Sequence, residues 1–96
     1  MALPSFTPSA YGSMAALYNV STTQAIPGGA GTVLLITNLG PSPAVVLLGD
    51  STVAVTLGSG LVVLPNQSIA LSLGANAYIA AQGTQGTAIL NLAQGV

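Results

Sequence analysis

The residues able to do chemistry are few. Of 96 residues none is Lys, Arg, His or Cys, and Asp50 is the sole acidic side chain. General acid–base work near neutral pH needs a group that titrates there, usually His or a tuned carboxylate or Lys. A Ser or Thr hydroxyl becomes a nucleophile only beside an activating base, and this chain has no base to offer. A hydrolase built on paired carboxylates is impossible within one such chain. Zinc calls for Cys, His or several carboxylates, and a calcium site with Asp50 as its one carboxylate would be weak. Asp50 follows Gly49 between two apolar stretches, a place where Asp is favoured for its local hydrogen bonds, so the turn reading outweighs the ligand reading. We expect no catalytic residue, no metal ligand and no cofactor, and an enzyme is the least expected class.

Three further patterns invite a functional reading. Gly28, Gly29, Ala30 and Gly31 have the look of a phosphate loop, but there is no lysine and no sign of a following helix; they read as a plain loop. Asn19-Val20-Ser21 and Asn66-Gln67-Ser68 fit the glycosylation pattern, which arises readily by chance and matters only in a secretory context. Tyr78 and the polar loop 82–86 could touch a sugar, yet a sugar site would usually offer more aromatic and charged groups, so Tyr78 reads as core or interface.

The charge inventory narrows the partners. Affinity for a phosphate backbone rests on Lys and Arg releasing counterions, so no nucleic acid is expected. Anionic membrane surfaces are set aside for the same reason. A spanning helix needs ~20 mostly apolar residues in a row, whereas the apolar runs here are short: 33–36, 44–48 and 61–64. No membrane partner is expected, and the opening MALPSFTPSAYG has no basic residue for a secretory n-region. A net charge of −1 leaves almost no repulsion between copies, which favours association. The chain reads as one whose normal state is a homo-oligomer, against the alternative of a monomer with a Ser/Thr/Asn/Gln surface. The absence of cysteine excludes a disulfide scaffold.

The elements that carry these residues are strands. Across residues 39–65 a Leu-Gly pair recurs at 39–40, 48–49 and 57–58, each followed by turn formers and then by apolar, often β-branched residues. Such residues are stiff at χ1 and pack on a pleated surface, and Gly, Pro, Asp and Ser punctuate them. Residues 1–12 hold Pro4 and Pro8 with Leu3, Phe6 and Tyr11; we read an extended N-terminal arm whose anchors are those three side chains, the alternative being a frayed terminus. Residues 13–96 form a single domain. Within it, strands are expected at 16–20, 32–37, 44–48, 52–57, 61–64, 67–73, 77–81 and 87–92. The first could instead be a helical turn; 32–37 and 44–48 are apolar on both faces; 52–57 and 67–73 alternate. Seven or eight short strands with evenly spaced turns give an all-β fold, a small antiparallel β-sandwich or jelly roll. A β-solenoid would need the nine-residue beat to persist, and it breaks after Pro65.

ITN (36–38), VVLLG (45–49), TVAVT (52–56), Gly60-Leu61 leading to Leu64-Pro65-Asn66-Gln67-Ser68, AYIAA (77–81) and GTAILNLAQG (86–95) follow in an order that spans about two-thirds of the chain. This order resembles small β-sandwich proteins of tailed-bacteriophage virions. Asn66 stands where that pattern usually has Gly, and Asn tolerates the left-handed turn region. The resemblance implies a capsid decoration or cement protein, or a related head-fibre or tail component. The leading expectation is a cement protein on the virion surface, a homo-trimer with the major capsid protein or other virion proteins as partners. Its domain would cover capsid subunit junctions, and its arm would pin it there. The alternative is a fibre or tail binding module for a host-surface glycan or receptor, with loops 28–31 and 82–86 as its contact surface. A self-assembling sheath or pore-like oligomer ranks below both.

Overall fold

The computed structural model describes residues 8–28 and 31–95. Its eight strands are β1 (Pro8–Ala16), β2 (Thr22–Ala25), β3 (Val33–Pro41), β4 (Ala44–Gly49), β5 (Leu61–Val63), β6 (Ser68–Ser72), β7 (Tyr78–Gly83) and β8 (Ala88–Gly95). They form two four-stranded sheets, β1-β8-β3-β6 and β2-β7-β4-β5, and every strand pair in them is antiparallel. Chain order crosses repeatedly between the sheets, and only β4 and β5 are neighbours both in sequence and in a sheet. This is the strand order of a jelly roll, two Greek keys wrapped into a sandwich. The expected fold class stands.

The core follows from side-chain alternation. On β3, Leu34 and Ile36 are fully buried while Val33, Leu35 and Thr37 are half-buried, so alternate residues face the second sheet. Met14 and Ala16 of β1, Leu90 and Leu92 of β8, Val46 of β4, Val63 of β5 and Ile79 of β7 meet them between the layers. The packing pieces are small and branched, in keeping with a chain that has only four aromatic residues.

The central strands β7 and β4 of sheet β2-β7-β4-β5 are covered on both faces, and the second face settles a misreading of the sequence. Residues 52–57, expected to be a strand, form none. Their alternation is real, but it packs a loop onto a sheet. Val53 and Val55 lie against Val45, Leu47 and Ala80 on the outer face. Leu57, expected on the same side, is exposed. The backbone here is satisfied by side chains and turns in place of a ladder. Val55 N donates to Ser21 Oγ at 3.0 Å, Thr23 Oγ1 donates to Val53 O at 2.6 Å and Thr56 N donates to Ser59 Oγ at 3.0 Å. Backbone polar groups need partners of some kind, and hydroxyls of Ser21 and Thr23, with Ser59 of the loop itself, supply them.

Other boundaries differ from expectation: β2 is not among the expected strands, and β7 and β8 run on to Gly83 and Gly95. The strand expected at 16–20 ends at Ala16, because Asn19 turns the chain with φ 61° and the next strand begins at Thr22. Residues 8–12, read as the end of the arm, form the first part of β1, paired with β8 from Pro8↔Gly95 onward with a bulge between Pro8 and Ala10. The turn expected at 38–43 begins later, since β3 runs on to Pro41 across a cis Gly40–Pro41 bond.

Candidate interaction surfaces

Asp50 sits exposed in the turn after β4. Its Oδ1 accepts from Thr52 N at 2.9 Å and from Thr52 Oγ1 at 2.6 Å. The Thr52 hydroxyl first, and the Thr52 amide with it, hold the carboxyl below its ordinary pKa. These bonds make the local turn that the sequence suggested. Among the described residues no group of three or more His, Cys, Asp or Glu comes together.

The two loops expected to form a binding surface lie at opposite ends of the sandwich. Gly28 and Gly31 belong to the β2–β3 connection. The 82–86 loop closes β7 and β8 at the end where β2 starts, because β2 and β7 run antiparallel. That loop is also tied down: Thr84 N donates to Pro43 O at 3.0 Å and Gly83 N to Leu17 O at 2.9 Å. The tyrosines are dispersed too. Tyr18 is exposed in the β1–β2 connection, Tyr78 is half-buried at the start of β7, and Tyr11 is 69% exposed on β1. Of the three expected arm anchors, Tyr11 therefore lies on a strand of the domain, and Leu3 and Phe6 fall outside the described residues.

Two buried amides hold the ends of the sandwich, and the sequence reading assigned neither. Asn38 is fully buried. Its Nδ2 donates to Ser42 O and to Val63 O, each at 2.9 Å, and its Oδ1 accepts from Gly40 N at 2.7 Å. It thus ties the end of β3 to β5 in the other sheet. At the opposite end Gln94 ties β8 to β1 and to the approach to β3, within the first sheet. Its Nε2 donates to Gly31 O at 3.0 Å, and its Oε1 accepts from Gly31 N at 3.1 Å and from Ser9 Oγ at 2.8 Å. Beside Gln94 lies a small cavity of about 160 Å³ walled by Ile26, Pro27, Leu73 and Ala77. The only signal for Asn38 in the sequence is an amide directly after an apolar strand and before Gly-Pro; a position near the chain end is all that marks Gln94.

What remains is surface whose chief features are shape and apolar area. Leu39, Leu57, Leu61, Val62 and Leu64 are each more than half exposed, and three of the five lie in or directly after edge strand β5. The outer face of sheet β1-β8-β3-β6 is ordered in rows. Tyr11, Ala93, Leu35 and Ala70 stand side by side across the four strands, and Ser13, Asn91, Thr37 and Ser68 form the next row. Thr37 Oγ1 and Ser68 Oγ are linked at 2.8 Å. The face carries hydroxyl, amide and apolar groups and no charge.

No protein-family model matches the chain, and no curated protein matches it. Among solved structures it is similar to one described as a Bacillus endospore appendage, from a novel family of disulfide-linked pili. The TM-score is 0.45 at 10% sequence identity, covering 100% of this chain and 97% of that one.

Proposed function

We propose that this chain is a non-enzymatic structural protein of a tailed-bacteriophage virion, a capsid decoration or cement protein acting as a homo-oligomer. The observation that carries the reading is the surface. Ten large apolar side chains are exposed on a domain with one charged side chain. Apolar area of this kind is stabilised by burial, at ~25 cal/mol per Å², and no charge on this protein steers or limits what covers it. The ordered resemblance of residues 36–95 to small virion β-sandwich proteins gives the class of partner, the major capsid protein or its neighbours. A structural role also agrees with a sequence that offers neither base nor nucleophile activation.

Attachment through apolar and backbone contacts has a measurable signature. Salt screens exposed charge pairs and leaves apolar burial intact or strengthened. Particles carrying the chain are washed in 0.05 M and then in 1 M NaCl, and the retained protein is measured by gel. Equal retention is the expected result. Release at 1 M NaCl refutes the mechanism.

A further inference from the structure

The last strand of the first sheet is an edge built to receive a copy of itself. β6 ends the order β1-β8-β3-β6. Asn38 N donates to Gln67 O at 2.9 Å, and Leu73 N donates to Thr32 O at 2.7 Å. In an antiparallel ladder, backbone groups alternate between the two sides of a strand. The odd-numbered residues of β6 therefore turn their backbone toward β3, and Ser68, Ala70 and Ser72 turn theirs to the open side. Natural proteins blunt such edges with charged side chains, prolines, bulges or a covering segment. β6 has no charge and no proline, its pairing with β3 is regular throughout, and among the described residues nothing covers its free side. The edge of β1 is equally uncharged but is blunted in the other ways: it has Pro8 and a bulge, Ser13 O accepts from Gln24 Nε2 at 2.9 Å, and Pro27 packs on Gly12.

We propose that two copies of this chain pair through β6, antiparallel about a two-fold axis at Ala70, so that their first sheets join into one. The sequence Ser-Ile-Ala-Leu-Ser is self-complementary in this register. Ser68 of one copy faces Ser72 of the other, Ala70 faces Ala70, and Ile69 faces Leu71. The residues that oppose one another in hydrogen-bonded pairs are the three whose backbone groups are free, giving about six new bonds. On the outer face the junction is Ser–Ala–Ser against Ser–Ala–Ser, with no charge opposed. On the inner face Ile69 and Leu71, half-buried and packed on the core, cover each other. β5 reaches β6 through the short 64–67 turn, so the edge of the second sheet lies on the same side. There Leu61 shares the side of the buried Val63 and is 51% exposed, and the pair extends over it. A contact along residues 67–73 and across the 20 Å thickness of the domain buries roughly 1,000 Å² in total. That is the lower end for a specific interface, so the pair is concentration-dependent. The inference rests on the assembly part of the proposed function and assigns a two-fold pair, distinct from the expected trimer.

Sedimentation velocity of the full chain over a wide concentration range tests it, together with Ala70→Lys and Ala70→Cys. Ala70 is exposed and its N–H turns away from β3 with no partner among the described residues, so both variants keep the fold, checked by unchanged circular dichroism and melting. The wild type is expected to move from 9.3 kDa toward twice that mass, and Ala70→Lys to stay at the monomer mass throughout. Paired Ala70 residues bring their Cα atoms to ~5.5 Å, within disulfide range. In a chain with no other cysteine, Ala70→Cys is expected to cross-link under mild oxidation about tenfold faster than Ala54→Cys, placed on the far loop. An oligomer indifferent to Ala70→Lys, or cross-linking no faster than at Ala54, overturns this contact and leaves self-assembly standing. A monomer at every concentration overturns both.

Discussion

Asn38 offers the sharpest test of how the two sheets are held together. Replacing it with Ala removes three hydrogen bonds of 2.7–2.9 Å from a fully buried site. The carbonyl of Val63 and the amide of Gly40 stay buried without that partner, and the carbonyl of Ser42 part-buried. Each such orphan costs ~1–3 kcal/mol, so the variant should lose about 3–9 kcal/mol. A domain of this size shifts by ~4–8 °C per kcal/mol, which puts the fall in melting temperature at about 12 °C or more. Calorimetry measures it, with Asn91→Ala as the control, since Asn91 is exposed on neighbouring β8 and its loss should cost under ~0.5 kcal/mol. Asn38→Asp sharpens the test. It keeps the acceptor for Gly40 N but places a carboxyl where no cation can reach it, in a chain with no Lys or Arg. Burial raises the pKa of such a group in the folded state. Its stability is then fully present at low pH and lost as pH rises through that raised value. A loss for Asn38→Ala no larger than for Asn91→Ala, or an Asn38→Asp variant whose stability ignores pH, would show that the amide does not bind the sheets together.

Two further predictions concern the outer loop and the lone carboxylate. Gly60→Ala would place its Cβ 2.6 Å from Val46 O and 2.8 Å from Val55 Cγ2, so it should cost ~1–3 kcal/mol by overpacking; Gly58→Ala meets nothing within 4 Å and should leave the urea midpoint nearly unchanged. The folded Asp50 pKa is lowered by the Thr52 bonds, so its contribution is present above the usual carboxylate range and fades as pH falls below about 4. The melting temperature should therefore be flat from pH 5 to 8 and decline only in acid, and Asp50→Asn should shrink that acid decline.

Much of this fold could be read before any coordinates. Residues 44–48, apolar on both faces, are β4, which is buried on both faces; the alternation of 67–73 contains β6; Asn66, read as a left-handed turn residue, has φ 65°. What could not be read depended on partners distant in sequence. The Val-Ala-Val alternation at 53–55 fits a strand as well as a loop lying on a sheet. Only Ser21 and Thr23, more than thirty residues away in one case, decide between them. Asn38 looks like a turn residue because one of its partners is four residues on; its tie to Val63, 25 residues on, exists only once β3 and β5 are placed in opposite sheets. The edge status of β6 is invisible for the same reason: alternation marks a strand, and strand order alone says what lies beside it.

The two sheets also differ in what they leave for a partner. β4 and β7 are apolar on both faces, and the 50–60 connection folds back to cover Val45 and Ala80. That face is therefore spent within the chain. The first sheet has no such cover among the described residues, and its outer rows hold Leu35 half-buried and Tyr11 largely exposed. The proposed capsid partner and the proposed second copy need not compete there, because the face and the β6 edge point in perpendicular directions. A charge at Leu35 should weaken attachment to particles and spare pairing, whereas Ala70→Lys should abolish pairing. The face is thus the candidate for the capsid contact and the edge for the contact between copies.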